Sequence, residues 1–139
     1  DMLPVPVSNT RVGFGLGNKG FAGGGSISFH QFYEFDPASP PGSQWSELIV
    51  HDDLQGKLGI FTNAISFGTY ALFIAGFGQE FEVWAFDPNT ENPWSPLTKL
   101  STGEEEPTGV RTGFAIGDLG FVILRRNQNN LWMYVPGLD

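Results

Sequence analysis

The feature that most constrains this chain is that it repeats itself. Arg11-Val12-Gly13-Phe14-Gly15-Leu16-Gly17-Asn18-Lys19-Gly20-Phe21 aligns without a gap on Arg111-Thr112-Gly113-Phe114-Ala115-Ile116-Gly117-Asp118-Leu119-Gly120-Phe121. Between them, Thr62-Asn63-Ala64-Ile65-Ser66-Phe67-Gly68 and Tyr70 to Phe73 form a looser copy, so the period is about 50 residues. A second marker follows in each copy: Phe32-Tyr33-Glu34-Phe35-Asp36-Pro37, then Glu82-Val83-Trp84-Ala85-Phe86-Asp87-Pro88, then the weaker Leu131-Trp132-Met133-Tyr134-Val135-Pro136. A third marker, Trp45, is echoed by Trp94 and has no third copy.

Each repeat reads as short strands. Arg11 to Leu16 alternates into a turn over Gly17 to Gly20, where Gly accepts positive φ cheaply. A second strand starts at Phe21, a third spans Phe32 to Phe35, and a fourth Trp45 to Val50. The second repeat runs Ala64 to Phe67, Ala71 to Ala75, Phe81 to Phe86 and Trp94 to Leu100. Asp36-Pro37 and Asp87-Pro88 end third strands, the carboxylate capping the following amides and Pro denying a ladder bond. With 19 Gly and 10 Pro and no clean 3.6-residue period, no helix is expected. The expectation is an all-β chain of about three four-stranded antiparallel blades. Blade 1 covers about 9–50, blade 2 about 59–100 and blade 3 about 110–136.

These markers resemble the kelch repeat family of β-propellers, in a form similar to kelch-type proteins of Bacteroidota-like bacteria. The resemblance covers almost the whole chain. It departs at Val135, where Asp is expected, and at Leu124-Arg125-Arg126, in place of a diglycine. It implies a half or part of a propeller ring, because rings usually hold four to eight blades. A run of three leaves two apolar faces and two sheet edges open. Two copies closing a six-bladed ring as a homodimer, or one piece of a longer polypeptide or mixed assembly, would satisfy them. The outer strand of blade 3 is missing, or is supplied by Asp1 to Ser8 or by a partner.

The net charge of −8 argues against nucleic acid and anionic membranes as partners, and no apolar run is long enough for a membrane-spanning helix. Absence of Cys removes thiolate nucleophiles and Cys-based metal sites, and with them the Cys–Tyr copper chemistry of the kelch-fold enzyme galactose oxidase. His30 and His51 are the only histidines and support no metal centre. No Gly-X-Ser-X-Gly elbow occurs, and the dense carboxylates at Asp52-Asp53, Glu80-Glu82 and Glu104 to Glu106 read as loop and surface groups. No cofactor is expected and no enzyme activity is read.

Binding candidates lie in the loops between second and third strands, Ser26 to Gln31, Phe77 to Glu80 and Arg125 to Asn130. They offer His30, Gln31, Phe77, Gln79, Glu80, Arg125, Arg126, Asn127 and Gln128. Aromatic faces stack on sugars or peptides, and amides read hydroxyls or backbone. The leading expectation is a non-enzymatic protein-binding or assembly module. The alternative is a carbohydrate-binding or glycan-active domain using those loops. The resemblance, with a start at Asp1 rather than Met, leads us to expect an extracellular, cell-surface or periplasmic location.

Overall fold

The structure is a computed structural model, and it describes residues 2, 4, 12–24, 31–54, 63–78, 80–101, 108–124 and 131–135. In chain order the strands are β1 (Val12–Leu16), β2 (Lys19–Gly23), β3 (Phe32–Phe35), β4 (Trp45–Leu48), β5 (Asn63–Ser66), β6 (Ala71–Ala75), β7 (Phe77–Gly78), β8 (Glu80–Phe86), β9 (Trp94–Pro96), β10 (Leu100–Ser101), β11 (Thr108–Ile116), β12 (Leu119–Leu124) and β13 (Leu131–Tyr134). Asp52–Leu54 forms one 3-10 turn. The strands make three antiparallel sheets, as the repeat predicts. Sheet I runs β1-β2-β3-β4. Sheet II runs β5-β6-β8, with β9 and β10 both paired to β8. Sheet III runs β7-β11-β12-β13.

The first hairpin of each sheet turns on one device. Gly17, Gly68 and Gly117 hold φ of +58°, +87° and +58°, and among the described residues no other residue type adopts positive φ. A two-residue loop with positive φ only at its first position is the type II′ geometry, whose twist matches that of the flanking strands. Asp36 and Asp87 cap their turns as read. Asp36 Oδ1 accepts from the Ala38 amide at 2.9 Å, and Asp87 Oδ1 from the Asn89 amide at 3.0 Å. Asp36→Ala and Asp87→Ala should each cost about 1 kcal/mol in urea unfolding. Asn at either position should recover most of that.

Two elements differ from the sequence expectation. The outer strand of the second repeat is split. β9 pairs along Trp84 to Phe86 and β10 along Glu80 and Phe81, with the Leu97 amide bonded to Val83 O at 2.8 Å between them. Phe77 to Glu80, expected as a loop, instead contains β7, paired with Thr108 and Gly109 at the start of β11. Gly76, at φ +128°, turns the chain off β6 and presents the next two backbone units to sheet III. Among the described residues, nothing pairs outside β13.

The sheets stack face to face in the order I, II, III, and β5 lies between β1 and β11. Ser66 Oγ on β5 donates to Gly15 O on β1 at 2.6 Å, and the Gly17 amide donates to Gly68 O at 3.3 Å. Between sheets I and II, Val12, Leu16, Phe21 and Phe32 meet Ala71, Phe73, Trp84, Phe86 and Trp94. Between II and III, Ile65, Leu72, Ile74, Phe81 and Val83 meet Val110, Val122 and Leu124. Sheet II is thus covered on both sides, which is why all five residues of β6 are buried.

Candidate interaction surfaces

Of the loop residues singled out in the sequence, His30, Gln79, Arg125, Arg126, Asn127 and Gln128 lie outside the described residues. Gln31 is half-buried at the start of β3, and its carbonyl accepts from the Gly24 amide at 3.1 Å. The Phe77 backbone pairs with Gly109. Glu80 is exposed on β8, with Lys99 Nζ at 3.6 Å from its carboxylate. His51 is exposed. Its Nδ1 accepts from the Asp53 amide at 3.2 Å, and its ring tilts over Trp84 at 5.0 Å. Among the described residues, no group of three or more His, Asp or Glu side chains could hold a metal ion.

A groove of about 570 Å³ runs between the outer parts of sheets I and II. Glu34, Glu47 and Glu91 line it beside His51 and Trp94. Trp94 Nε1 donates to Ile49 O at 3.1 Å, and Glu34 accepts from Lys19 Nζ at 2.6 Å, so two of its polar groups are spoken for. A smaller cavity of about 110 Å³ lies between sheets II and III and is mostly apolar, lined by Leu72, Ile74, Val122 and Trp132 among others.

The larger surfaces are the two sheet faces that, among the described residues, no other sheet covers. Strand register places Thr112, Phe114, Ile116, Leu119, Phe121, Ile123, Leu131 and Met133 on one face of sheet III. Seven of these eight are apolar, and five stand well exposed: Phe114 41%, Ile116 64%, Leu119 36%, Leu131 53% and Met133 60%. Phe114 and Phe121 stack, centroids 5.2 Å apart at 17°. The uncovered face of sheet I is of opposite shape. It carries Gly13, Gly15, Gly20 and Ala22 on the inner strands, and further out Phe35, Trp45, Glu47 and a Tyr33 that is already buried. One face projects side chains and the other is hollowed.

Electrostatics add a pH dependence. The hydrogen bond to Glu34 raises the Lys19 pKa above its ordinary 10.5. Burial, helped by the Glu47 carboxylate, raises the Tyr33 phenol above 10.0, and burial with Asp118 does the same for Tyr70. Each group holds its proton more tightly folded than unfolded. Each contribution is therefore complete below the unfolded pKa and is lost as pH rises through the folded one. Thermal midpoints should fall above about pH 10, and Tyr33→Phe with Tyr70→Phe should blunt the fall. Tyrosinate absorbance should show both phenols ionising later in the folded chain than in urea.

No protein-family model, curated protein or solved structure matches the chain. The repeat pattern held the signal for these surfaces: Phe114 aligns with Phe14, which is covered by the next sheet, whereas among the described residues no sheet covers Phe114.

Proposed function

We propose that this chain is a non-enzymatic assembly module built of kelch-type propeller blades, which works by docking its open blade faces onto another copy or another chain. The observation that carries this reading is the exposed apolar face of sheet III, with Phe114, Ile116, Leu119, Leu131 and Met133 projecting from one surface. Contiguous apolar surface of this kind marks interaction sites in soluble proteins. Burying each large side chain against a partner is worth about 1.5–3 kcal/mol.

Dilution in the presence of a hydrophobic dye tests the reading. Dye fluorescence per chain should rise as the wild type is diluted and its faces separate. Ile116→Lys with Met133→Lys should bind little dye at any concentration and keep its unfolding midpoint, since both positions face solvent in the single chain. Wild-type fluorescence per chain that stays constant across the dilution would contradict docking.

A further inference from the structure

We infer that the partner is a second copy of this chain, docked head to tail, with Phe114 and Ile116 of one copy seated over Gly13 and Gly20 of the other. This inference rests on the docking reading above and adds the occupant, the face and the polarity.

The argument comes from the two contacts the chain already makes between its own sheets. In sheet III, Gly113 and Gly120 are glycines for a visible reason. A Cβ at Gly113 would meet Ile65 Cγ1 and Cδ1 at 2.8 Å, and one at Gly120 would meet Phe67 Cζ at 3.0 Å. The side chains of the preceding sheet lie directly on them. The repeat places Gly13 and Gly20 at the same positions in sheet I. There, a Cβ at Gly13 meets only Phe21 O at 3.8 Å, and one at Gly20 meets only its own sheet's Phe35 at 3.6 Å and beyond. Neither glycine has positive φ. Sheet I is relieved for side chains that no described residue supplies. Glycine inside a strand costs roughly 0.5–1 kcal/mol against Ala, so this relief is a local cost without a local return.

The matching side chains are on sheet III. Ile65 and Phe67, which cover Gly113 and Gly120, are the repeat equivalents of Phe114 and Ile116. The rings agree as well. In sheet I, Phe14 and Phe21 stack at 5.3 Å and 13°, and the edges of Phe73 and Phe86 from sheet II close over them. Phe114 and Phe121 repeat that stack, and among the described residues no sheet lies over them. On sheet I, Phe35 and Trp45 sit at 4.9 Å and 51°, in the register positions of Phe86 and Trp94, which sit at 4.6 Å and 45°. Trp94 Nε1 reaches Ile49 O across the contact between sheets I and II; Trp45 Nε1 is already buried within the single chain, so the open part of the sheet I face is the glycine-lined part over β1 and β2. The two open faces are the two halves of a contact the chain already builds internally. Head-to-tail contacts close into a ring when the rotation permits, and two copies related by a two-fold axis give six sheets and two identical junctions.

Site-directed cross-linking tests this, because the chain contains no Cys of its own. Ile116→Cys and Gly20→Cys chains are mixed in equal amounts and treated with a short bis-maleimide. The expected product joins position 116 of one variant to position 20 of the other, and neither variant alone yields a linked pair. A 116-to-116 link, or a two-chain wild type that gives no 116-to-20 link, would overturn head-to-tail pairing and leave a docking role standing. A wild type that stays single-chain at every concentration would overturn both.

Discussion

Gly113→Ala should destabilise the chain by about 1–3 kcal/mol, whereas Gly13→Ala should change the stability of the isolated chain by less than about 0.5 kcal/mol. The substitutions are chemically identical and occupy equivalent positions in two repeats. What differs is the neighbour. The Cβ added at Gly113 lands 2.8 Å from two carbons of Ile65, a branched side chain fixed in the core between sheets II and III. Relief requires Ile65 to leave its rotamer or sheet III to move away, and both disturb the packing of Val110 and Val122. The Cβ added at Gly13 makes only an ordinary contact with Phe21 O at 3.8 Å. Urea unfolding followed by Trp fluorescence, at concentrations low enough to keep chains apart, measures the pair. Equal losses at the two positions would mean that sheet I is covered within its own chain and would remove the basis for docking there.

The second large effect is expected at Phe86. Its ring lies within 6.3 Å of Phe14, 5.4 Å of Phe21, 5.7 Å of Phe32, 6.1 Å of Phe73 and 4.6 Å of Trp94, and it is 1% exposed. Phe86→Ala should cost about 3–5 kcal/mol, because it removes both the buried surface and the partner of five other rings. Phe114→Ala, the same change on the open face, should cost the isolated chain less than about 1 kcal/mol. It should instead weaken association between chains. Unfolding measured at low and high protein concentration separates the two kinds of loss, since only a contact between chains makes stability depend on concentration.

Much of this was legible in the residues. The about 50-residue period gave three sheets of similar plan, and the recurrence of Asp36 and Asp87 before Pro marked them as turn caps, which their bonds to the Ala38 and Asn89 amides show them to be. The Gly17 and Gly117 turns followed from the need for positive φ at one position; the equivalent turn at Gly68 was not singled out. That a run of three sheets leaves its two end faces uncovered was also an expectation from geometry. Which residues stand on such a face was not legible, because Phe14 and Phe114 look alike in sequence and differ only in what lies across from them. β7 was missed for a related reason. Two residues cannot show alternation, and their pairing with Thr108 and Gly109 is set by the turn at Gly76 and by tertiary placement. The break between β9 and β10 falls over Leu97, Thr98 and Lys99, where a continuous fourth strand was expected. Pro96, the last residue of β9, lacks an amide for the ladder, and the bond to Val83 O comes from the Leu97 amide.

The loop residues chosen as binding candidates followed from the propeller resemblance, which gathers such loops at one channel mouth. Among those described, Glu80 pairs with Lys99, and Phe77 belongs by its backbone to sheet III. The surface with the stronger physical claim lies instead on the faces of the sheets, where strand register collects side chains that are far apart in sequence.

The central claim is that this chain's two uncovered faces are made for each other. Sedimentation equilibrium of the wild-type chain over a wide concentration range tests it most directly. Two-fold closure predicts a species of twice the 15.2 kDa chain mass, which separates into single chains on dilution. A mass of 15.2 kDa at every concentration would contradict it.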